Sequence, residues 1–215
     1  MNLALYKSSH LENWITEKYI ELGIMSPGDL EPHNIAAKLN VDLYKHPVAS
    51  FSIREGGVNY IFLKDSDPYN ERVQFFHELC HLLRHSGNQL GIMPQAFREL
   101  QERDANHFTQ YAAMPLHMLT DFKFESPDII YELSEIFCVP ISFAADRLEN
   151  IKRKLRQETL DQIFIKNLNS HAVTPYPKYR KFNLDDCSNE TKRLLAQLNQ
   201  QLKGGQIHAH CKGIL

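Results

Sequence analysis

Cysteine is scarce and falls in no paired pattern: Cys80, Cys138, Cys187 and Cys211 stand far apart and no CxxC occurs. That spacing argues against a zinc ribbon or a dense disulfide framework and leaves free thiols as the expectation. Long apolar runs are missing too. No stretch reaches the ~18 residues that a membrane-crossing helix needs, and the opening MNLALYKSSHLENW has no apolar core of the secretory kind. A cytoplasmic protein with no membrane partner is expected. Neither sign of charge dominates, since 24 Lys+Arg face 26 Asp+Glu for a net charge of −2. The chain as a whole therefore makes no electrostatic case for nucleic acid. Glycine (9) and proline (10) are too few for a collagen-like or low-complexity chain, while 43% hydrophobic residues in a length of 215 supply a core. Histidine is the residue present in excess, with 11 copies. It is the commonest metal ligand and the usual acid–base group near neutral pH.

Apolar periodicity orders the chain. Leu11, Trp14, Ile15, Tyr19 and Leu22 recur at helical spacing up to Gly23, and a second helix is predicted over 34–39. Phe51-Ser52-Ile53 and Tyr60-Ile61-Phe62-Leu63 flank Glu55-Gly56-Gly57 and read as a β-hairpin. Asp65-Ser66-Asp67-Pro68 opens a helix over 69–85, and a loop with Gly87, Gly91 and Pro94 leads to another over 95–114. Helical patterns return at 126–137 and 141–164, and residues 171–181, with Pro175 and Pro177, read as a linker. Leu194, Leu195, Leu198 and Leu202 mark a last amphipathic helix that stops at Gly204-Gly205, with packing inside the molecule as its default role. The fold class is α+β, mainly helical, with one domain over 1–150 and a helical extension over 151–215.

Within the first long helix stands His77-Glu78-Leu79-Cys80-His81, an HExxH sequence. Histidines four residues apart share a helical face, so both imidazoles reach one ion at about 2.0–2.1 Å. Glu78 is rotated about 100° from His77, which sets its carboxylate beside the ion, where it can take a proton from a water and pass it on to a leaving amine. With 11 His and 15 Glu in the chain, only about 0.04 chance matches are expected. The helix also segregates its residues. Phe75, Phe76, Leu79, Cys80, Leu82 and Leu83 form an apolar back, and His77, Glu78 and His81 lie on the other side. Cys80, on the apolar side, is not expected to be a ligand.

A catalytic zinc takes three protein ligands and leaves a fourth position open, so a further ligand is required. The next helix offers Glu102, Asp104 and His107. Glu102 shares its face with Ala105, Asn106, Thr109, Ala112 and Ala113, small residues that let two helices approach closely. Glu102 is therefore the expected third ligand, with Asn106 placed to orient a ligand from outside. Asp104 and His107 are expected to face solvent. His208, His210 and Cys211 form a weaker alternative near the chain end.

HELCH on a helix that follows a β-hairpin, then ExxANxF at 102–108 and the helix end Ala112-Ala113-Met114-Pro115, resembles the ImmA/IrrE family of metallopeptidases. The likeness extends over about 34–150, because Leu133-Ser134-Glu135-Ile136-Phe137-Cys138-Val139-Pro140 and Ala144-Ala145-Asp146-Arg147-Leu148 resemble the family's closing helices. Cys80 stands where the family usually has Gly and Thr109 where it often has Ala; both are small. The segment after Arg156 has no counterpart.

The resemblance implies a zincin-like core with a small hairpin or sheet beside the HExxH helix. Carried onto this sequence, it implies one zinc per chain on His77, His81 and Glu102, with another divalent ion as the alternative, and Glu78 as catalytic base. Family members are typically encoded by prophages, conjugative elements or stress-response loci, and cut or inactivate helix-turn-helix repressors. The implied activity is a metalloendopeptidase acting on a phage-type (XRE) repressor. The alternative is a non-proteolytic regulatory protein that uses the same fold to sequester a repressor or contact DNA.

An edge strand beside the active-site helix would bind an extended peptide through main-chain hydrogen bonds, and residues 60–63 are the expected edge. Tyr111, His85 and Arg84 are candidates for a second electrophile. Residues 147–181 hold nine Lys/Arg against three Asp/Glu, and the solvated face of an amphipathic helix is the expected place for these charges.

Overall fold

The computed structural model describes the backbone of residues 3–85, 94–170 and 187–204, and their side chains apart from those at 169–170 and 201–204. The loop at 86–93, the linker at 171–181 and the residues His208, His210 and Cys211 lie outside that range. The chain forms two compact units, Met1–Phe164 and Ile165–Leu215.

The first unit is α+β and mainly helical, as expected. Its order is α1 (His10–Glu21), α2 (Pro32–Leu39), β1 (Val41–His46), β2 (Phe51–Glu55), β3 (Val58–Lys64), α3 (Pro68–Arg84), α4 (Gln95–Ala113), α5 (Leu116–Leu119), α6 (Ile129–Phe137) and, as far as Phe164, α7 (Ile141–Ser170). Turns of 3-10 helix at Leu3–Leu5 and Pro27–Leu30 punctuate the N-terminal part. Because Ile151 and Leu155 of α7 are buried, this unit continues past residue 150. In the second unit α8 (Asn189–Gly204) leaves Leu194 and Leu198 exposed rather than packed.

The sheet corrects the hairpin reading. β2 and β3 do pair antiparallel around Gly56-Gly57, whose positive φ values of 60° and 82° favour glycine in a tight two-residue turn. A third strand, β1, pairs parallel to β3 from Val41↔Asn59 to His46↔Lys64, which gives the order β1-β3-β2. Residues 60–63 are thus central, and the open edges belong to β1 and β2. Alternation along β3 turns Ile61 and Leu63 into the core, while Phe62 on the other face stacks with Phe51 at 4.7 Å and Tyr44 at 5.5 Å.

Helix α3 starts where the sequence provides a cap: the Asp67 carboxylate accepts from the Tyr69 and Asn70 amides at 3.0 and 3.1 Å, and Pro68 fills the first helical position. Phe75, Phe76, Leu79 and Cys80 are buried. Against α3 lies α4, whose Ala105, Thr109 and Ala112 are buried and small enough for close approach. The Tyr19 hydroxyl donates to the Ala112 carbonyl at 2.9 Å, tying α1 to the same seam.

Helix α6 ends on Cys138, a non-glycine residue in the left-handed region at φ 50°, with the Val139 amide donating back to the Ser134 carbonyl at 3.0 Å. A side chain costs energy there and glycine does not. Cys138→Gly is expected to raise stability by about 0.5–1 kcal/mol, read as a higher urea midpoint with an unchanged slope.

Candidate metal centre

His77, His81 and Glu102 converge. The imidazole nitrogens Nε2 of His77 and His81 are 3.2 Å apart, Glu102 Oε2 lies 3.1 Å from the His77 Nε2, and Glu102 Oε1 lies 3.5 Å from the His81 Nε2. Atoms bound tetrahedrally at about 2.0–2.1 Å stand about 3.3–3.4 Å from one another. Each of the three measured separations, two of them to different Glu102 oxygens, is near that edge length, and one donor atom from each residue lies within 4.8 Å of the others. Two imidazoles and a carboxyl group are also a donor set that suits zinc and other first-row divalent ions. His81 is nearly buried, whereas the Glu102 side chain is 44% exposed, so the cluster opens to solvent on the α4 side.

Electrostatics favour the neutral form of His81. Burial, followed by the neighbouring His77 and His85, pulls the His81 pKa down to about 4 although Asp104 opposes the shift. The ring is therefore neutral at pH 7 and has a lone pair to offer.

Glu78 stands apart from the ligand set, on the side of α3 that faces β2. It is buried, and that burial pushes its carboxyl up to about 7; a hydrogen bond with Ser52 opposes the rise and the charge of Glu102 adds to it. At neutral pH this group sits between its ionised and protonated forms, which suits it to take a proton and return it. Two further ties hold β2 and the residue before it along α3: the Arg54 guanidinium donates to the Leu82 carbonyl at 2.6 Å, and Ser50 Oγ donates to Gln74 Oε1 at 2.6 Å. Cys80 is buried in the apolar back, and burial pushes its thiol up to about 12, so it stays protonated.

Other residues singled out from the sequence fall elsewhere. Asn106 and His107 are exposed. Asp104 is partly exposed but also engaged: its carboxylate takes Arg84 Nε at 2.9 Å and lies 3.1 Å from His85 Nε2. The three candidate electrophiles are committed to other work. His85 lies between His81 and Asp104, and Arg84 is paired with Asp104. Tyr111 is buried beneath the Arg147 guanidinium, 4.8 Å from its ring centroid.

Asp104 reaches α3 for a geometric reason. The line of contact on α4 runs through the fully buried Ala105 rather than through Glu102. Counted from Ala105, Glu102 lies about 60° to one side and Asp104 about 100° to the other. They straddle the seam and both reach α3. The available signal was His85 itself, which repeats the four-residue step of His77 and His81.

Arg147 also departs from expectation. Grouped by sequence with the solvated charges of 147–181, it is fully buried and its guanidinium donates to Glu12 Oε1 at 3.0 Å.

Comparison with known proteins places the chain in a family. The profile of the IrrE N-terminal-like domain, Peptidase M78, matches residues 36–149. Over 166 residues, 76% of this chain and 96% of the relative, the sequence is 32% identical to the uncharacterized protein YqaB of Bacillus subtilis strain 168. Over 149 residues, 68% of this chain and 75% of the relative, it is 32% identical to the phage-like element PBSX protein XkdA of the same organism. The chain belongs to the IrrE N-terminal-like (M78) family, a metallopeptidase-type family, and has a phage-associated relative. Among the described residues no helix is long and apolar enough to cross a membrane.

Proposed function

We propose that the protein is a zinc-dependent endopeptidase whose ion is held by His77, His81 and Glu102 and whose proton carrier is Glu78. The observation that carries this reading is the spacing of the three donor atoms, together with a buried carboxyl tuned near neutrality on the adjacent face of the same helix. A bound divalent ion supplies Lewis acidity, polarising the scissile carbonyl and lowering the pKa of water. Glu78 Oε would take a proton from the attacking water and return it to the amine released when the peptide C–N bond breaks. Ser52 holds the carboxyl in place and keeps its pKa from rising further.

The substrate lies extended along the open edge of β2, the strand that borders the motif. It is a protein, and a helix-turn-helix repressor of the phage type is the proposed target: the relative XkdA is a phage-like element protein, and the family resemblance points to such repressors. Cleavage relieves repression in the cytoplasm.

The test is to incubate the zinc-loaded protein with a helix-turn-helix repressor encoded beside its gene and analyse the digest by mass spectrometry, with Glu78→Gln in parallel. A discrete cut made by the wild type and not by Glu78→Gln supports the proposal. An intact repressor, with derepression in cells surviving Glu78→Gln, overturns it in favour of sequestration without proteolysis.

Ser52→Ala provides a finer check. Removing a hydrogen bond that favours the ionised form raises the Glu78 pKa further. A smaller fraction of the base is then ionised at pH 7, so the acid limb of the kcat/KM profile is expected to move to higher pH.

A further inference from the structure

One set of contacts around the candidate centre is used neither by the ligand set nor by the proton carrier. His81 turns its Nε2 toward His77 and Glu102, and its other nitrogen, Nδ1, lies 2.8 Å from Nδ1 of His85. The second nitrogen of His85, Nε2, lies 3.1 Å from Asp104 Oδ2. Asp104 is itself fixed by Arg84, whose Nε donates to Oδ2 at 2.9 Å, and the Arg84 guanidinium lies 5.9 Å from the centroid of the Trp14 ring. The backbone amide of His85 donates to the His81 carbonyl at 3.3 Å, so the two residues are joined through main chain as well as side chain.

Proton bookkeeping gives this chain a single direction. To offer a lone pair at Nε2, a neutral His81 carries its proton on Nδ1. That proton is donated to His85 Nδ1, which therefore has none, and the His85 proton is left on Nε2, where it is donated to the Asp104 carboxylate. In this arrangement the contact between the two rings and the contact to Asp104 each have one donor and one acceptor. In metal sites a ligating histidine almost always donates its other N–H to a carboxylate, carbonyl or water. Here a second histidine is inserted between ligand and carboxylate.

We propose that His85, held by Asp104, is a positioning residue for the metal centre: it selects the Nδ1–H tautomer of His81 and fixes the ring so that Nε2 meets the ion. This rests on the metal-site reading above. The same residues also admit another use, because Cys80, His85 and Asp104 bring their donor atoms within 4.8 Å of one another. A second ion there would require His85 to give up one of its two ring contacts, and the relay uses both.

Zinc affinity, measured by competition with a chromophoric chelator, separates these cases without reference to activity. His85→Ala and His85→Phe are expected to weaken zinc binding about 10-fold or more. The Phe variant keeps the ring volume, so a loss confined to poor folding would appear in Ala alone. His85→Gln, whose amide has both an acceptor for His81 and a donor for Asp104, is expected to recover most of the affinity. Asp104→Asn is expected to give an intermediate loss. Combined with His85→Ala, it should add little, because the two residues act in series. Two-bond 1H–15N spectra of the zinc-loaded wild type should show His85 protonated on Nε2 and His81 on Nδ1. His107→Ala, exposed on the same helix as Asp104, is the control and should bind zinc as the wild type does.

Unchanged affinity in His85→Phe, or an Nδ1-protonated His85, overturns the proposal while leaving the metal site in place. Two zinc ions per wild-type chain, falling to one in Asp104→Asn, would reassign the cluster as a second site and overturn it as well. A wild type that binds no zinc overturns the metal-site reading, and this inference with it.

Discussion

Glu78→Gln is expected to lower kcat/KM for peptide cleavage by about 10²–10⁴-fold while zinc remains bound at one per chain. The two halves of this result separate chemistry from assembly. Glu78 does not belong to the converging donor atoms, which come from His77, His81 and Glu102, so its loss removes no ligand. The amide is nearly isosteric and retains an oxygen for Ser52, so the packing around it survives. It cannot accept and return a proton, which is the function a carboxyl poised near 7 is built to perform. His81→Ala should behave differently, losing metal and activity together because it removes a nearly buried ligand. Zinc stoichiometry by elemental analysis beside cleavage rates for both variants makes the distinction. Retained cleavage in Glu78→Gln would place the base elsewhere.

How far the sequence discloses this site follows from the range of each interaction. The HExxH pair is local: a four-residue step on one helix is enough to aim two imidazoles at one point, and no tertiary information is needed. Glu102 is one step harder. It was found through the small residues beside it, which report a close helix contact without reporting the line that the contact follows. That missing line is why Asp104, across the seam from Glu102, read as solvent-exposed although it holds His85.

Sheet order was less accessible still. Val41, Leu43 and the alternation of β1 form a weak strand signal, and its partner is β3 rather than the neighbouring β2. Parallel pairing across an intervening strand leaves no local trace, so the hairpin was legible and its open edge was misassigned to residues 60–63. The pairing of Glu12 with Arg147 is the extreme case, linking residues 135 apart in the chain.

That pair carries the largest expected effect on stability. Glu12 is the capping-box residue of α1, with Oε2 accepting from the Ser9 amide at 2.9 Å, and its carboxylate is nevertheless buried. It also accepts from Arg147 at 3.0 Å, Lys154 at 2.6 Å and the Tyr6 hydroxyl at 2.5 Å. Arg147 is fully buried and donates through Nε to the Met114 carbonyl at 3.2 Å, which joins α1, the end of α4 and α7 at one point. Glu12→Ala leaves that guanidinium without its counter-charge, and truncating one partner of a buried ion pair costs about 3–5 kcal/mol. Replacing both partners by apolar residues, as in Glu12→Leu with Arg147→Met, is expected to cost less than Glu12→Ala alone. If the double variant is instead the less stable, the ion pair is a net source of stability in its own right.

Acid supplies an independent reading of the same contact. Burial by itself would raise the Glu12 pKa, but Arg147, Lys154, the Ser9 amide and Tyr6 outweigh it and bring the value from 4.5 down to about 2. A carboxyl whose pKa is lower in the folded state contributes stability above its unfolded pKa and loses that contribution as pH falls through the folded one. The contribution is therefore complete above about pH 4.5 and disappears by about pH 2, and a shift of this size corresponds to about 3 kcal/mol. Urea unfolding of the wild type is expected to show this decline between pH 4.5 and 2, superimposed on that of other carboxylates. Glu12→Gln, less stable at pH 7, should lack that share of the slope and approach the wild type at low pH. Parallel pH–stability curves for the two proteins would mean that Glu12 has the same pKa folded and unfolded, and that the buried contact with Arg147 does not bias its ionisation.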